Sequence, residues 1–294
     1  MEPIKNRYDF VMYFDVENGN PNGDPDAGNM PRMDPETAKG MVTAESLKRK
    51  VRNYVEAVKE GVPGYRIYVK SGIPLARVEN EAFKYLGVDP AKAKEAKKKN
   101  DALDRELEQF MCQNFYDIRT FGAVMTSLKK GGLNGGQVRG PVQMGMATSV
   151  DPIMPKEIVI TRSTITNEAD LEKGQMIASK YIVPYALYRV EGYVSANLAK
   201  KTTGFTEEDL ELFWNALINM FDLDHSAARG NMATRKLIIF KHDSEFGNTQ
   251  AYRLFDLVKA EKKPNVVIER SYNDYTVSVD LANVPDGVTC IVRE

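Results

Sequence analysis

The chain is 294 residues long, 43% hydrophobic and carries a formal net charge of −1; it has apolar material for one large or two ordinary domains, and its overall balance offers a polyanion no attraction. Cys112 and Cys290 lie far apart and form no Cys-x-x-Cys pair, which argues against a disulfide framework or a thiolate zinc site and fits a reducing cytoplasm. No apolar run approaches the roughly 18 residues of a membrane span, and Met1-Glu2-Pro3-Ile4-Lys5 lacks the apolar core of an export signal, so the sequence reads as soluble, cytoplasmic and free of membrane.

Residues 8 to 17 alternate, with Tyr8, Phe10, Met12, Phe14 and Val16 on one face and Asp9, Val11, Tyr13 and Asp15 on the other, which predicts a strand. The run that follows, Asn18-Gly19-Asn20-Pro21-Asn22-Gly23-Asp24-Pro25-Asp26, is built of turn formers and predicts a shaped polar loop at the strand's mouth. From Thr43, a candidate N-cap, Leu47, Val51, Tyr54, Val55 and Val58 recur at helical spacing until Gly61-Val62-Pro63-Gly64 ends the helix. A lysine-rich and helical stretch reaches to about residue 115 and reads as an insertion.

A second glycine cluster occupies Gly131 to Gly136 and runs into Gln137-Val138-Arg139-Gly140-Pro141-Val142-Gln143-Met144-Gly145, where backbone can approach a ligand closely. Two β-type runs, 157–162 and 180–194, flank a polar connection containing Asn167 to Gly174, the pattern of a protruding hairpin. A capped helix opens at Thr206 and turns Leu210, Phe213, Trp214, Leu217 and Phe221 inward. Leu237 to Phe240 supply a core strand, and short strands fill 266–292. This order is that of an α+β fold with a split βαβ character.

The chemistry begins on the first helix, where Lys48, Arg49 and Arg52 share a polar face. They either grip successive phosphates without reading bases or form an ordinary solvated face. In the polar loop, a calcium reading fails. Counting from Asp15, the sixth position is Asn20 rather than Gly, and no Glu closes the loop at the twelfth. Asp24 and Asp26 have no established geometry for acid–base work, and a structural turn is the better reading. His225 and His242 lie in no nucleophile context and read as structural, and phosphate-loop and dinucleotide fingerprints are absent from the sequence. Arg119 and Arg229 each either contact phosphate or pin a loop to a carbonyl.

Taken together, Asn18 to Pro25, Glu45-Ser46-Leu47-Lys48-Arg49-Lys50-Val51-Arg52, Asp117 to Gly122, Arg139-Gly140-Pro141-Val142-Gln143, Ser149 to Ile153 and Ser226-Ala227-Ala228-Arg229-Gly230 resemble the CRISPR type I-C backbone subunit of the Cas-seven superfamily, in that family's order across almost the whole chain. The resemblance implies a hand-shaped molecule. Its palm is a ferredoxin-like, RRM-type core (1–61, 117–149 and 181–294), with a helical fingers insertion (62–116) and a β-hairpin thumb (150–180). It further implies that several copies polymerise head-to-tail along one CRISPR RNA (crRNA) in the surveillance complex Cascade, beside repeat-processing cap, large and small subunits. There they present the guide for pairing with target DNA. Carried over onto this sequence, Lys48, Arg49 and Arg52 hold phosphates, Gln143 and Met144 pack at the thumb's base, and Asn20, Arg139 and Arg229 complete the RNA-contacting set. No catalytic residue, metal or cofactor is implied. The rival within the same superfamily is a type III subunit that cuts bound RNA with a loop aspartate, for which Asp24, Asp26 and Asp34 are the candidates. A near-neutral charge suits a subunit whose faces meet copies of itself.

Overall fold

A computed structural model of the chain describes residues 2–125, 136–162 and 176–294. Most of the glycine cluster (126–135) and the polar connection of the expected arm (163–175) lie outside the described residues. The centre of the fold is an eight-stranded antiparallel sheet built on β1 (Tyr8–Gly19). The chain continues through a small hairpin, β2 (Gly23–Asp24) and β3 (Met30–Pro31), then β4 (Lys39–Val42) and helix α1 (Ala44–Val58). Helices α2 (Leu75–Tyr85), α3 (Ala93–Lys99), α4 (Leu103–Asn114) and α5 (Tyr116–Phe121) follow. Next come β5 (Gly122–Val124), β6 (Gln137–Arg139), β7 (Val142–Met144), β8 (Ala147–Pro152), β9 (Lys156–Arg162) and β10 (Met176–Val194). The last third holds α6 (Glu207–Asn219), β11 (Asn231–His242), α7 (Ala251–Phe255), β12 (Val258–Lys262), β13 (Tyr275–Val279) and β14 (Val288–Arg293).

The main path of the sheet runs β14-β11-β1-β10-β8-β4, with β7 and β9 also paired to β10. The even-numbered side chains of β1, from Tyr8 to Val16, enter the main core with Leu47, Val51 and Val55 of α1 and Leu210, Phe213, Trp214 and Leu217 of α6. That is the alternation expected from the sequence. The other face differs from a solvated one. Val11 and Tyr13 pack with Ile238, Phe240, Leu254 and Phe255 in a second core, so β1 is buried on both sides. Its acids are therefore buried too and must be matched. Asp9 accepts Arg7 Nη2 at 2.9 Å and faces His242 Nε2 at 2.9 Å, while Asp15 accepts Arg235 Nε at 2.8 Å and the Tyr185 hydroxyl at 3.0 Å.

α1 starts where expected, with Thr43 Oγ1 accepting the Ser46 N–H at 3.2 Å. Its inward face departs from the expected one at two positions, since Val58 is exposed and Lys50 is buried. α6 carries a full capping box between Thr206 and Asp209. α2, α3 and α4 pack around Val78, Phe83, Leu103, Leu107 and Met111 in a further apolar cluster that also takes in Ile118 and Val138. β9 and β10 pair from Lys156↔Ile182 to Arg162↔Met176, the hairpin read from the sequence. The C-terminal strands are β13, which pairs with the unanticipated β12, and β14 on the sheet edge beside β11. Among the described residues no helix is long and apolar enough to cross a membrane.

Candidate nucleic-acid interface

Two constellations form on either flank of α1. On the first, the end of β1 is clasped by the segment before β11. Asn20 N–H donates to Ala228 O at 2.8 Å, and a Cβ at Gly19 would lie 1.7 Å from Arg229 O, so only glycine fits. Gly230 completes the clasp at φ 62°, with the Glu17 and Asn18 carbonyls against it. The Asn22 side chain accepts the Thr43 N–H at 2.9 Å and ties the polar loop to the start of α1, and Asn20 Nδ2 donates to Asn29 O at 2.8 Å.

These bonds leave a polar cleft of about 270 Å³ whose walls include Asn20, Asn22, Ser46, Arg49, Asn53 and Arg229. At its floor the buried Lys50 is paired with Asp224, which also holds the Arg229 guanidinium. Lys50 escaped sequence reading, although its place beside Leu47 and Val51 was the signal available. Arg49 is exposed and makes no hydrogen bond or ion pair among the described residues, so its charge faces the cleft uncompensated. Asn20, Arg49 and Arg229, remote in sequence, are thus brought together.

The second flank centres on Phe121. Lys48 Nζ lies 5.3 Å and Arg52 Cζ 5.4 Å from the centre of its ring. Burial, reinforced by the Arg52 charge, holds the Lys48 ammonium below the usual lysine range. Arg52 Nε is bound to Asp117 Oδ2 at 2.8 Å, and the same buried carboxylate accepts the Tyr68 and Val69 N–H groups at 2.8 and 3.0 Å. Arg119 forms a two-bond fork with Asp209 at 2.8 and 2.7 Å and donates through Nη1 to Gly64 O and Cys112 O. Of its two sequence readings, the one that pins a loop to carbonyls is the arrangement found.

Arg139 is exposed on β6 opposite Gly122, and Gln143 donates its amide to Gly140 O at 3.1 Å. Met144 is 8% exposed and packs in the main core. On a strand whose side chains alternate, Val142 and Met144 point inward and Gln143 outward. Met146, two residues on, is 52% exposed. The set therefore divides into Asn20, Arg49 and Arg229 around the cleft and Lys48, Arg52 and Gln143 around Phe121, with Arg139 beside Gly122 and Met144 in the core.

The loop acids serve as turn caps. Asp24 accepts the Asp26 N–H at 3.2 Å and pairs with Arg32 at 3.4 Å, and Asp34 accepts the Glu36 N–H and the Thr37 hydroxyl. Among the described residues no group of three or more His, Cys, Asp or Glu is placed to hold a metal ion. His242 is fully buried, facing Asp9 and accepting the Asn248 N–H at 2.9 Å on Nδ1, a structural role.

Residues 6–280 match the family model described as "CRISPR-associated protein Cas7". A curated protein called CRISPR-associated protein Cas7, from Haloferax volcanii, is 25% identical over 93% of this chain and 81% of its own length. Among solved structures, a chain of a CRISPR RNA-guided surveillance complex, pre-nicking, superposes with a TM-score of 0.50 at 16% identity, covering 80% of this chain and 78% of that one. That last likeness is one of fold.

Proposed function

The chain belongs to the CRISPR-associated protein Cas7 family, and from that premise we propose that it is a crRNA-binding backbone subunit of a type I-C Cascade complex in the cytoplasm. It polymerises head-to-tail along the guide, beside cap, large and small subunits. It holds the guide by phosphate contacts that ignore sequence and leaves discrimination to pairing with target DNA. The observation that carries this reading is the basic flank of α1, where Arg49 stands uncompensated at the mouth of a cleft also walled by Asn20 and Arg229.

We assign Arg49, Lys48, Arg139 and Arg229 to phosphates, and Asn20 and Gln143 to the path of the strand. Arg52 positions Asp117. The hand-shaped division follows the same proposal: palm 1–61, 117–149 and 181–294, fingers 62–116, thumb 150–180. It is supported by the strand order β11-β1-β10-β7 under α1 and α6, as in a ferredoxin-like or RRM-type unit, by the packing of α2 to α4 in an apolar cluster distinct from the main core, and by the β9–β10 hairpin.

The role is non-catalytic. Asp24 and Asp34 are occupied in capping turns, which supports this over the type III alternative. Two experiments test the proposal. Protein copurified with its operon neighbours should retain short RNA of one repeat-plus-spacer size, and its absence would remove the reading. Incubation of the complex with complementary RNA and magnesium should leave that RNA intact, whereas periodic cleavage abolished by Asp24→Ala would make it an endonuclease.

A further inference from the structure

The second face of the sheet is covered at one end by α7 and the β12–β13 hairpin and open at the other. Tyr185, Leu187, Arg189, Glu191 and Tyr193 of β10 all point to this face, which they share with Tyr13 of β1. Tyr185 and Leu187 are buried under the cover, but Tyr193 is 42% exposed. Beside it lies a cavity of about 480 Å³ that is separate from the α1 cleft, with Tyr13, Lys39, Met146, Arg189, Glu191 and Tyr193 among its walls.

The walls are built rather than incidental. Arg189 donates through Nη1 to Val258 O at 2.7 Å and the Tyr13 hydroxyl at 3.3 Å. Its Nη2 donates to Phe255 O and Glu191 Oε1, both at 2.8 Å, and its Nε to the same Glu191 oxygen at 3.1 Å. All five guanidinium N–H groups are thereby used, so Arg189 is a fixed wall with none left for a phosphate. The same bonds orient Glu191, whose Oε2 has no hydrogen-bond partner among the described residues and is free to accept. The Tyr193 ring is propped edge-on by Phe255, with centroids 5.6 Å apart at 63°. The cavity thus offers a braced aromatic face, the half-exposed Met146 thioether, one carboxylate oxygen and, from β4, the Lys39 ammonium.

We propose that this cavity is a nucleobase site matched to guanine, carried by a mononucleotide or by a single strand. A base stacks on an exposed tyrosine whatever its identity. Guanine alone among the four presents two adjacent N–H donors, N1–H and the N2 amine, which can converge on the free Glu191 Oε2, whereas adenine sets the N1 lone pair beside its N6 amine and would be repelled there. Lys39 supplies a cation for the attached phosphate. The volume falls within the roughly 300–1,000 Å³ of small-ligand pockets.

Titration calorimetry of the purified protein with GMP and AMP tests this. GMP is expected to bind more tightly than AMP, Tyr193→Ala to lower GMP affinity about tenfold, and Glu191→Gln to level the two nucleotides. A uridine oligonucleotide carrying a single guanine, set against plain oligouridine, separates the sources. A guanine-dependent gain lost in Tyr193→Ala, without GMP binding, assigns the site to a base held in a strand. Should Tyr193→Ala fail to fold, the wild-type preference decides alone. Equal response to GMP and AMP together with equal response to the two oligonucleotides overturns the proposal. Guide retention on the α1 face is read separately from copurified RNA, so either idea can fail without the other.

Discussion

On one flank of α1, Arg49 borders an open polar cleft and makes no ion pair among the described residues, while Arg229 across it is held by Asp224; on the other, Arg52 and Arg119 are engaged by carboxylates that are almost fully buried. The residue types are the same. What separates the flanks is where the partner acids sit: Asp117 and Asp209 are 1% and 2% exposed, and each needs a guanidinium to be tolerable in the interior. A cation's role is thus set by the nearest buried carboxylate: on the cleft side Asp224 holds Lys50 and Arg229, and Arg49, which makes no ion pair among the described residues, is the charge left there for phosphate.

Arg119→Ala should sharpen this contrast most. It leaves Asp209 buried without its fork and frees the Gly64 and Cys112 carbonyls, a loss of about 3–5 kcal/mol. Urea denaturation should show a much lower midpoint, and Arg119→Lys should not restore it, because an ammonium cannot reproduce the fork. Unchanged stability would erase the distinction between the flanks. Arg52→Ala should cost less, on the order of 2 kcal/mol, since Asp117 keeps the Tyr68 and Val69 N–H groups. Loss of RNA in that variant should track unfolding rather than salt.

Arg49→Ala is expected to behave oppositely. Its stability should stay within about 0.5 kcal/mol of wild type, as for a surface change, while the slope of log affinity for guide RNA against log salt falls by about one. The loss should be the same for unrelated spacers. A change in melting with no change in salt slope would move Arg49 to the structural flank.

Much of this frame was legible in the sequence, because it depends on local spacing. The alternation of Tyr8 to Val16, the Thr43 cap, the Thr206–Asp209 box and the β9–β10 hairpin follow from patterns within a few residues. The division of the basic helix was not legible. The acids that decide it lie 65, 90 and 174 positions from Arg52, Arg119 and Lys50, and spacing in one chain says nothing about such distant pairs. The second buried face of β1 was hidden likewise: its cover is assembled from residues after 250, whose short strands carry no sign of where they pack. Met144, named only through the resemblance, lies on the core face because its strand partner is Gly192, a placement that local spacing does not give.

Lys48 gives the smallest and most discriminating effect, because it lies on the structural flank but has no carboxylate of its own. Its folded pKa is lowered, chiefly by burial against Phe121 and further by Arg52. Between that lowered value and the unfolded value of 10.5, the unfolded chain binds more protons at this site than the folded one, so its contribution makes stability rise with pH through that window. Lys48→Met keeps the aliphatic stem over the ring and removes the charge. It should therefore be as stable as wild type or slightly more so at neutral pH, and wild type should close the gap as pH climbs toward 10.5. The difference between the two melting curves isolates this site from the tyrosines that titrate in the same range. If guide RNA affinity falls in Lys48→Met while stability does not, the ammonium is held over Phe121 for a phosphate; if both stay level, the RNA path is confined to the cleft of Asn20, Arg49 and Arg229.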